Sequence, residues 1–184
     1  MKPGARAVGV AESYRTGTST LAGVVTRASR VVDGFAFGRV TVGGTDATAG
    51  IRDLLSDLDR EDVHYVLVAG IAPAWYNVLD LTAIEAAVER PVIAVSFEES
   101  EGLEAALRRE FSGTALEERL GTYRRQPDRE SLTVNDETVF VRAVGIAPRA
   151  ARDVVRAFTP EGGRPEPLRV ARLAARAADR LQPD

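Results

Sequence analysis

A chain of 184 residues, 45% of them hydrophobic, can bury one core, and its formal charge of −3 combines −7 over residues 1–141 with +4 over 142–184. With no cysteine, disulfides, thiolate nucleophiles, iron–sulfur clusters and cysteine zinc sites are excluded. Lys2 is the only lysine among 24 basic residues, which effectively excludes Schiff-base chemistry, and no apolar run approaches the ~20 residues of a membrane-spanning helix.

ARAVGVAES, near residues 5–13, and TLAGVVTRA, near 20–28, are β-rich runs separated by the turn cluster SYRTGTS, which predicts an antiparallel pair. Asp33-Gly34 introduces FAFGRVTV, where Phe35 and Phe37 alternate with small residues as in a strand with one buried face. After Gly43-Gly44 the period becomes helical: Thr45 or Asp46 can cap a helix carrying Ile51, Leu54, Leu55 and Leu58. VHYVLVAG, near 63–70, and PVIAVSF, near 91–97, read as strands covered on both faces. The helical segment VLDLTAIEAAVE between them, capped by Asn77 or Asp80, predicts a right-handed crossover joining parallel strands. Helices are expected near 101–110 and 114–121, then a hairpin in which SLTV and TVFVR flank Asn135-Asp136. Pro148 and Pro167 open two further helices, the last reaching about Leu181. The order of three antiparallel strands, helix, strand, helix, strand and a helical C-terminal part predicts a single α/β domain over 1–184. It is the order of ribonuclease H-like folds, a mixed sheet with helices on its faces.

Candidate chemistry lies in four places. GRVTVGGTDATAG stands between a strand and a helix, where backbone N–H groups can cradle phosphate, yet it matches neither GxGxxG nor a P-loop and suits a tight turn. GIAPAWYNVLD follows the best central strand, at the carboxyl end where α/β domains place ligands. There Trp75 and Tyr76 can stack a base or sugar, Asn77 can hydrogen-bond one, and Asp80 can serve a metal; equally, the aromatics can plug the sheet edge while Asn77 and Asp80 cap the helix. Arg169, Arg172, Arg176 and Arg180 share a face of the last helix, and Arg149, Arg152 and Arg156 repeat that spacing one helix earlier. Such stripes can track phosphates, or form a solvated face paired with Glu166, Asp153 and Asp179. His64, the single histidine, is expected in the core or at an edge of its strand, and no GxSxG elbow accompanies it.

VTVGGTDAT, VLVAGIAPAWYNVLDL and GRPEPLRVARLAARAADRL resemble the archaeal family known as domain of unknown function ninety-nine, along essentially the whole chain. That family is similar to endonuclease V, a ribonuclease H-like enzyme that uses magnesium or manganese to cut nucleic acid near deaminated purines. The shared signature is Pro-Glu-Pro-x-Arg, at Pro165, Glu166, Pro167 and Arg169. The resemblance implies a carboxylate metal site, since phosphodiester hydrolysis of this kind needs two or three hard oxygen ligands around the cation. Four positions depart from that pattern. Ala11, followed by Glu12, stands for the aspartate ending the first strand; Gly43 or Gly44 for an acid on or after the third. Ala69-Gly70 stands for Asp-Gly after the central strand, and Arg172 for an acid or histidine three residues beyond Arg169.

The leading expectation is a non-catalytic endonuclease V-like domain that binds nucleic acid through its arginine-rich C-terminal helices, with Glu166, Arg169, Arg172 and Arg176 as contacts and no cofactor. Two alternatives stand beside it: an endonuclease whose magnesium or manganese site is rebuilt from Glu12, Asp46 and Asp80, and a small-ligand or protein-binding module using the Trp75–Asp80 loop. The start MKPGARAVGV lacks the charged-then-apolar pattern of a signal peptide, so the expected location is the cytoplasm, with no membrane partner and the oligomeric state open.

Overall fold

The computed structural model describes residues 1–181, and the three N-terminal runs become β1 (Arg6–Tyr14), β2 (Thr18–Arg27) and β3 (Val32–Thr41). They form an antiparallel meander, with Tyr14 opposite Ser19 and Thr18 opposite Thr41. Next come α1 (Ala47–Leu58), β4 (Tyr65–Ala69), the single turn α2 (Pro73–Tyr76), α3 (Leu81–Val88) and β5 (Val92–Ser96). Two helices, α4 (Glu104–Glu110) and α5 (Gly113–Arg124), lead to the hairpin β6 (Glu130–Val134) and β7 (Glu137–Val144), then α6 (Pro148–Ala157) and α7 (Glu166–Arg180). Asn135 and Asp136 close the hairpin with φ of 48° and 65°, left-handed values that suit the strand twist and that Asn and Asp tolerate.

The sheet order is β3-β2-β1-β4-β5-β7-β6, with β1, β4 and β5 parallel, and this mixed α/β arrangement is ribonuclease H-like. The C-terminal part is less helical than its place in the element order suggests. β7 runs antiparallel to β5, Val92 opposite Val144, and so covers what would otherwise be an apolar edge. Strand periodicity reveals which face a residue takes but not which strand lies alongside.

Side-chain alternation divides the core into two layers. Val8, Val10, Val66 and Val68 pack against Ile51 and Leu54 of α1 and Leu81 and Ile84 of α3. On the opposite face Ala7, Leu67, Ile93 and Val95 meet Val154, Val155 and Phe158 of α6 and its end, together with Leu168 of α7. Helix α7 runs along β1 in the same direction, Pro167 over Gly9, Ala171 over Ala11 and Asp179 beside Arg15. The approach is so close that a Cβ at Gly9 would overlap the Pro167 carbonyl, so glycine is required there. Pinned at this point, α7 carries Arg172 and Arg176 toward the carboxyl end of β1.

His64 is not a core residue: the strand begins one residue later, and the histidine is exposed beside the start of β1, where its N–H donates to the Arg6 carbonyl at 3.0 Å. That is the end of the sheet opposite the carboxyl ends of β1, β4 and β5. Among the described residues no helix is long and apolar enough to cross a membrane.

Candidate functional site

Parallel strands that end together leave a concavity beyond their last residues, and here it is a cleft of about 510 Å³. Its floor is Ala11 and Glu12 from β1, Ala69 and Gly70 from β4, and Ser96 and Phe97 from β5 and the residue after it; Arg164, Arg172 and Arg176 form its other wall. Three of the four positions at which the chain departs from the nuclease pattern, Ala11, Ala69 and Arg172, therefore meet in one place. Gly43 and Gly44 do not line it.

The charge in this cleft is mostly positive. Arg164 is stacked on the Phe97 ring, 3.7 Å from its centroid, an arrangement that holds a guanidinium plane while leaving its N–H edges available. Burial, followed by repulsion from Arg172 and Arg176, pulls its pKa below the ordinary arginine value. Among the described residues none of these three arginines has a carboxylate within ion-pair distance. Of the two acids on the cleft, Glu12 accepts a 2.6 Å hydrogen bond from the Ser19 hydroxyl, and Glu98 is exposed at the rim.

The predicted arginine stripes divide on closer view. Arg169 forks onto both carboxylate oxygens of Glu166 at 2.7 Å, which lowers the Glu166 pKa despite partial burial. Arg156 lies 3.9 Å from Asp153, whereas Arg152 reaches Glu130 at 2.5 Å rather than a neighbour on its own helix. Asp179 is buried and holds Arg15 at 3.3 Å. Helical spacing alone groups Arg169 with Arg172 and Arg176; the fold replaces it with Arg164, which lies outside the helix and directly precedes the Pro-Glu-Pro signature. Ser96, Phe97 and Glu98 were equally invisible to spacing, because their place in the cleft comes from the end of β5.

Asp46, Asn77 and Asp80 serve the scaffold. Burial opposes the Asp46 charge, but hydrogen bonds from Asn77 Nδ2 at 2.7 Å and from the Thr41 hydroxyl at 2.8 Å and amide at 3.1 Å outweigh it, so its pKa is lowered. Asn77 is fully buried, donates to the Thr41 carbonyl and accepts from the Ala47 amide, both at 2.9 Å, and so staples the end of β3 to the first turn of α1. It is not the cap of the crossover helix. Asp80 is, accepting from the Ala83 amide at 3.0 Å, with Arg125 at 3.4 Å, beside a different cavity lined by Thr48 and Arg119.

Ala74, Trp75 and Tyr76 all take left-handed φ, of 48°, 55° and 61°, each of which costs about 1–3 kcal/mol for a residue with a Cβ. The turn is held by the Gly43 amide donating to the Ala74 carbonyl at 2.7 Å and by Arg119 donating to the carbonyls of Tyr76, Gly43 and Gly44. Gly43, at φ 69°, sits under Trp75 with no room for a Cβ. The amides of Gly43 and Gly44 are thus engaged internally, the second on the Thr41 carbonyl at 3.1 Å, which makes the glycine run a turn rather than a phosphate cradle. Trp75 remains 43% exposed, its ring clustered with Tyr76 and Phe111.

A divalent cation does not fit these residues. Among the described residues Glu12 and Glu98 are the only carboxylates on the cleft, three guanidiniums line it, and Ala11 and Ala69 provide no oxygen side chain. Glu12 and Asp80 border different cavities, and among the described residues no three of His, Asp and Glu gather as metal donors.

Comparison with other proteins places this geometry. The fold is shared with a crystallised protein of unknown function from Archaeoglobus fulgidus, with a TM-score of 0.84, 22% identity and coverage of 95% of this chain and 98% of that one. It is also shared with Ciona intestinalis endonuclease V, crystallised with a 23mer DNA containing an inosine, at a TM-score of 0.62, 13% identity and coverage of 95% and 85%. The UPF0215 protein of Pyrobaculum aerophilum is 37% identical over 173 residues, 92% of this chain and 91% of its own. Residues 3–179 match the model of the family described as Endonuclease dU, and this chain, with its cleft at the carboxyl ends of three parallel strands, belongs to that family.

Proposed function

We propose that this protein binds nucleic acid across the cleft at the carboxyl ends of β1, β4 and β5, and that it does not hydrolyse it by divalent-metal chemistry. The observation that carries the reading is the convergence of Arg164, Arg172 and Arg176, unneutralised by any described carboxylate, around Ala11 and Ala69. Guanidiniums suit phosphate, and counterion release makes such contacts favourable even on a protein of net negative charge. The family's description and the DNA held by the Ciona protein supply the polymer class. The non-catalytic part of the reading is supported by the donor set: among the described residues no three histidine, aspartate or glutamate side chains gather as metal-assisted cleavage would use them.

Fluorescence anisotropy with single-stranded and duplex DNA, with and without a deoxyuridine, tests the binding at several salt concentrations; a denaturing gel of the same mixtures with manganese tests for cleavage. Binding that weakens steeply with salt, without product, is expected. Product that disappears in Glu12→Gln would overturn the non-catalytic part, and salt-insensitive or absent binding would overturn the nucleic-acid part.

A further inference from the structure

We infer that the Arg164, Arg172 and Arg176 cluster is a site for a phosphate monoester, the terminal phosphate of a nucleic-acid strand or of a nucleotide. The inference rests on the proposed nucleic-acid role and gives it a preferred end. A backbone track spreads its cations along successive phosphodiesters, each carrying one negative charge. Here three cations face a single concavity, which matches one group carrying nearly two charges and three oxygens.

The surroundings agree with that match. The Phe97 ring, 3.7 Å from the Arg164 guanidinium carbon, restrains that side chain without a carboxylate to hold it. Arg172 and Arg176 both repel the part-buried Arg164 across the cleft, a cost that an anion among them offsets. Ser13 and Ser96 also line the cleft, and among the described residues neither hydroxyl is engaged in a hydrogen bond, so both can donate to phosphate oxygens. Glu12, on the floor itself, accepts a hydrogen bond from Ser19, and Glu98 is at the exposed rim.

The test uses the full chain and three probes: inorganic phosphate, a mononucleotide, and a single strand bearing either a 5′-phosphate, a 3′-phosphate or only hydroxyl ends. A thermal shift with millimolar phosphate is expected, together with preference for a phosphorylated end by about ten-fold, the scale of one or two charge-assisted hydrogen bonds. Arg172→Gln, at an exposed position, should remove that preference while the chain stays folded by circular dichroism; Arg164→Gln should do the same and is the more sensitive to folding. Equal binding of phosphorylated and hydroxyl ends, with no thermal shift, would overturn the inference while leaving salt-dependent polymer binding intact. Binding of phosphate and mononucleotide without binding of any strand would instead uphold the site and sink the polymer reading. Direct binding of manganese at the cleft, seen by electron paramagnetic resonance and lost in Glu12→Gln, would overturn the assignment of the cleft to an anion.

Discussion

Neutralising Arg172 and Arg176 together, as glutamines, should change the salt dependence of DNA binding by a calculable amount. Each phosphate charge neutralised contributes about 0.9 to the slope of log affinity against log salt for duplex DNA, so the double variant, which removes two cations, should lose up to about 1.8 from that slope. At 0.1 M salt the same relation makes each contact worth about eight-fold in affinity and both about sixty-fold. The comparison that gives this number meaning is Arg169→Gln. Arg169 lies on the same helix but is already neutralised by Glu166 through two 2.7 Å bonds, so its loss should move the slope by well under one unit. Anisotropy titrations from about 50 to 200 mM salt, the range over which such contacts act, measure all three proteins. If Arg169→Gln flattened the slope as much as the double variant, the distinction between paired and unpaired arginines on α7 would be wrong.

Three further outcomes follow from the scaffold. Gly9→Ala should destabilise the fold by about 3 kcal/mol or more in urea unfolding, since its methyl group meets rigid Pro167 backbone; a change under about 1 kcal/mol would show that α7 can lift away. Asn77→Ala leaves the Ala47 amide and the Thr41 carbonyl without their buried partner and should cost about 2–4 kcal/mol by the same measurement; near-neutral behaviour would mean that β3 and α1 are held by other contacts. Asp33 accepts from Arg27 at 2.8 Å and Arg6 at 2.5 Å, and these bonds depress its pKa far below the usual carboxylate range. A depressed carboxylate stabilises the fold above its unfolded pKa near 4 and loses that contribution as pH falls toward its folded value, so Asp33→Asn should flatten wild-type stability between about pH 4 and 2. Parallel curves for the two proteins in that window would refute it.

The element order was legible because each segment carries its own period. The Asn135-Asp136 hairpin, the Asp80 cap and the Pro148 and Pro167 helix starts are local decisions of turn and capping chemistry, and all appear in the fold near their expected positions. The candidate site was only partly legible. The substitutions at Ala11, Ala69 and Arg172 could be read by resemblance, yet their convergence depends on parallel pairing of β1 with β4, a contact between residues far apart in the chain. Asp46 and Asn77 looked like ligand donors because their chemistry is that of ligand donors; only burial and partners reveal that each holds the other and the ends of β3 and α1.

By itself, then, the sequence determined which chemistry is scarce: no thiol, one histidine, one lysine, and alanine at positions 11 and 69, near the ends of β1 and β4. It also determined the local elements, whose periods and caps act over a few residues. Tertiary structure alone decided which arginines face the cleft. Helical spacing made Arg169 equivalent to Arg172 and Arg176, but ion pairing with Glu166 removed it, and contact with the Phe97 ring beyond β5 brought in Arg164 from outside the helix. The physical reason is that charge neutralisation and packing depend on distances across the fold, which a one-dimensional pattern does not contain.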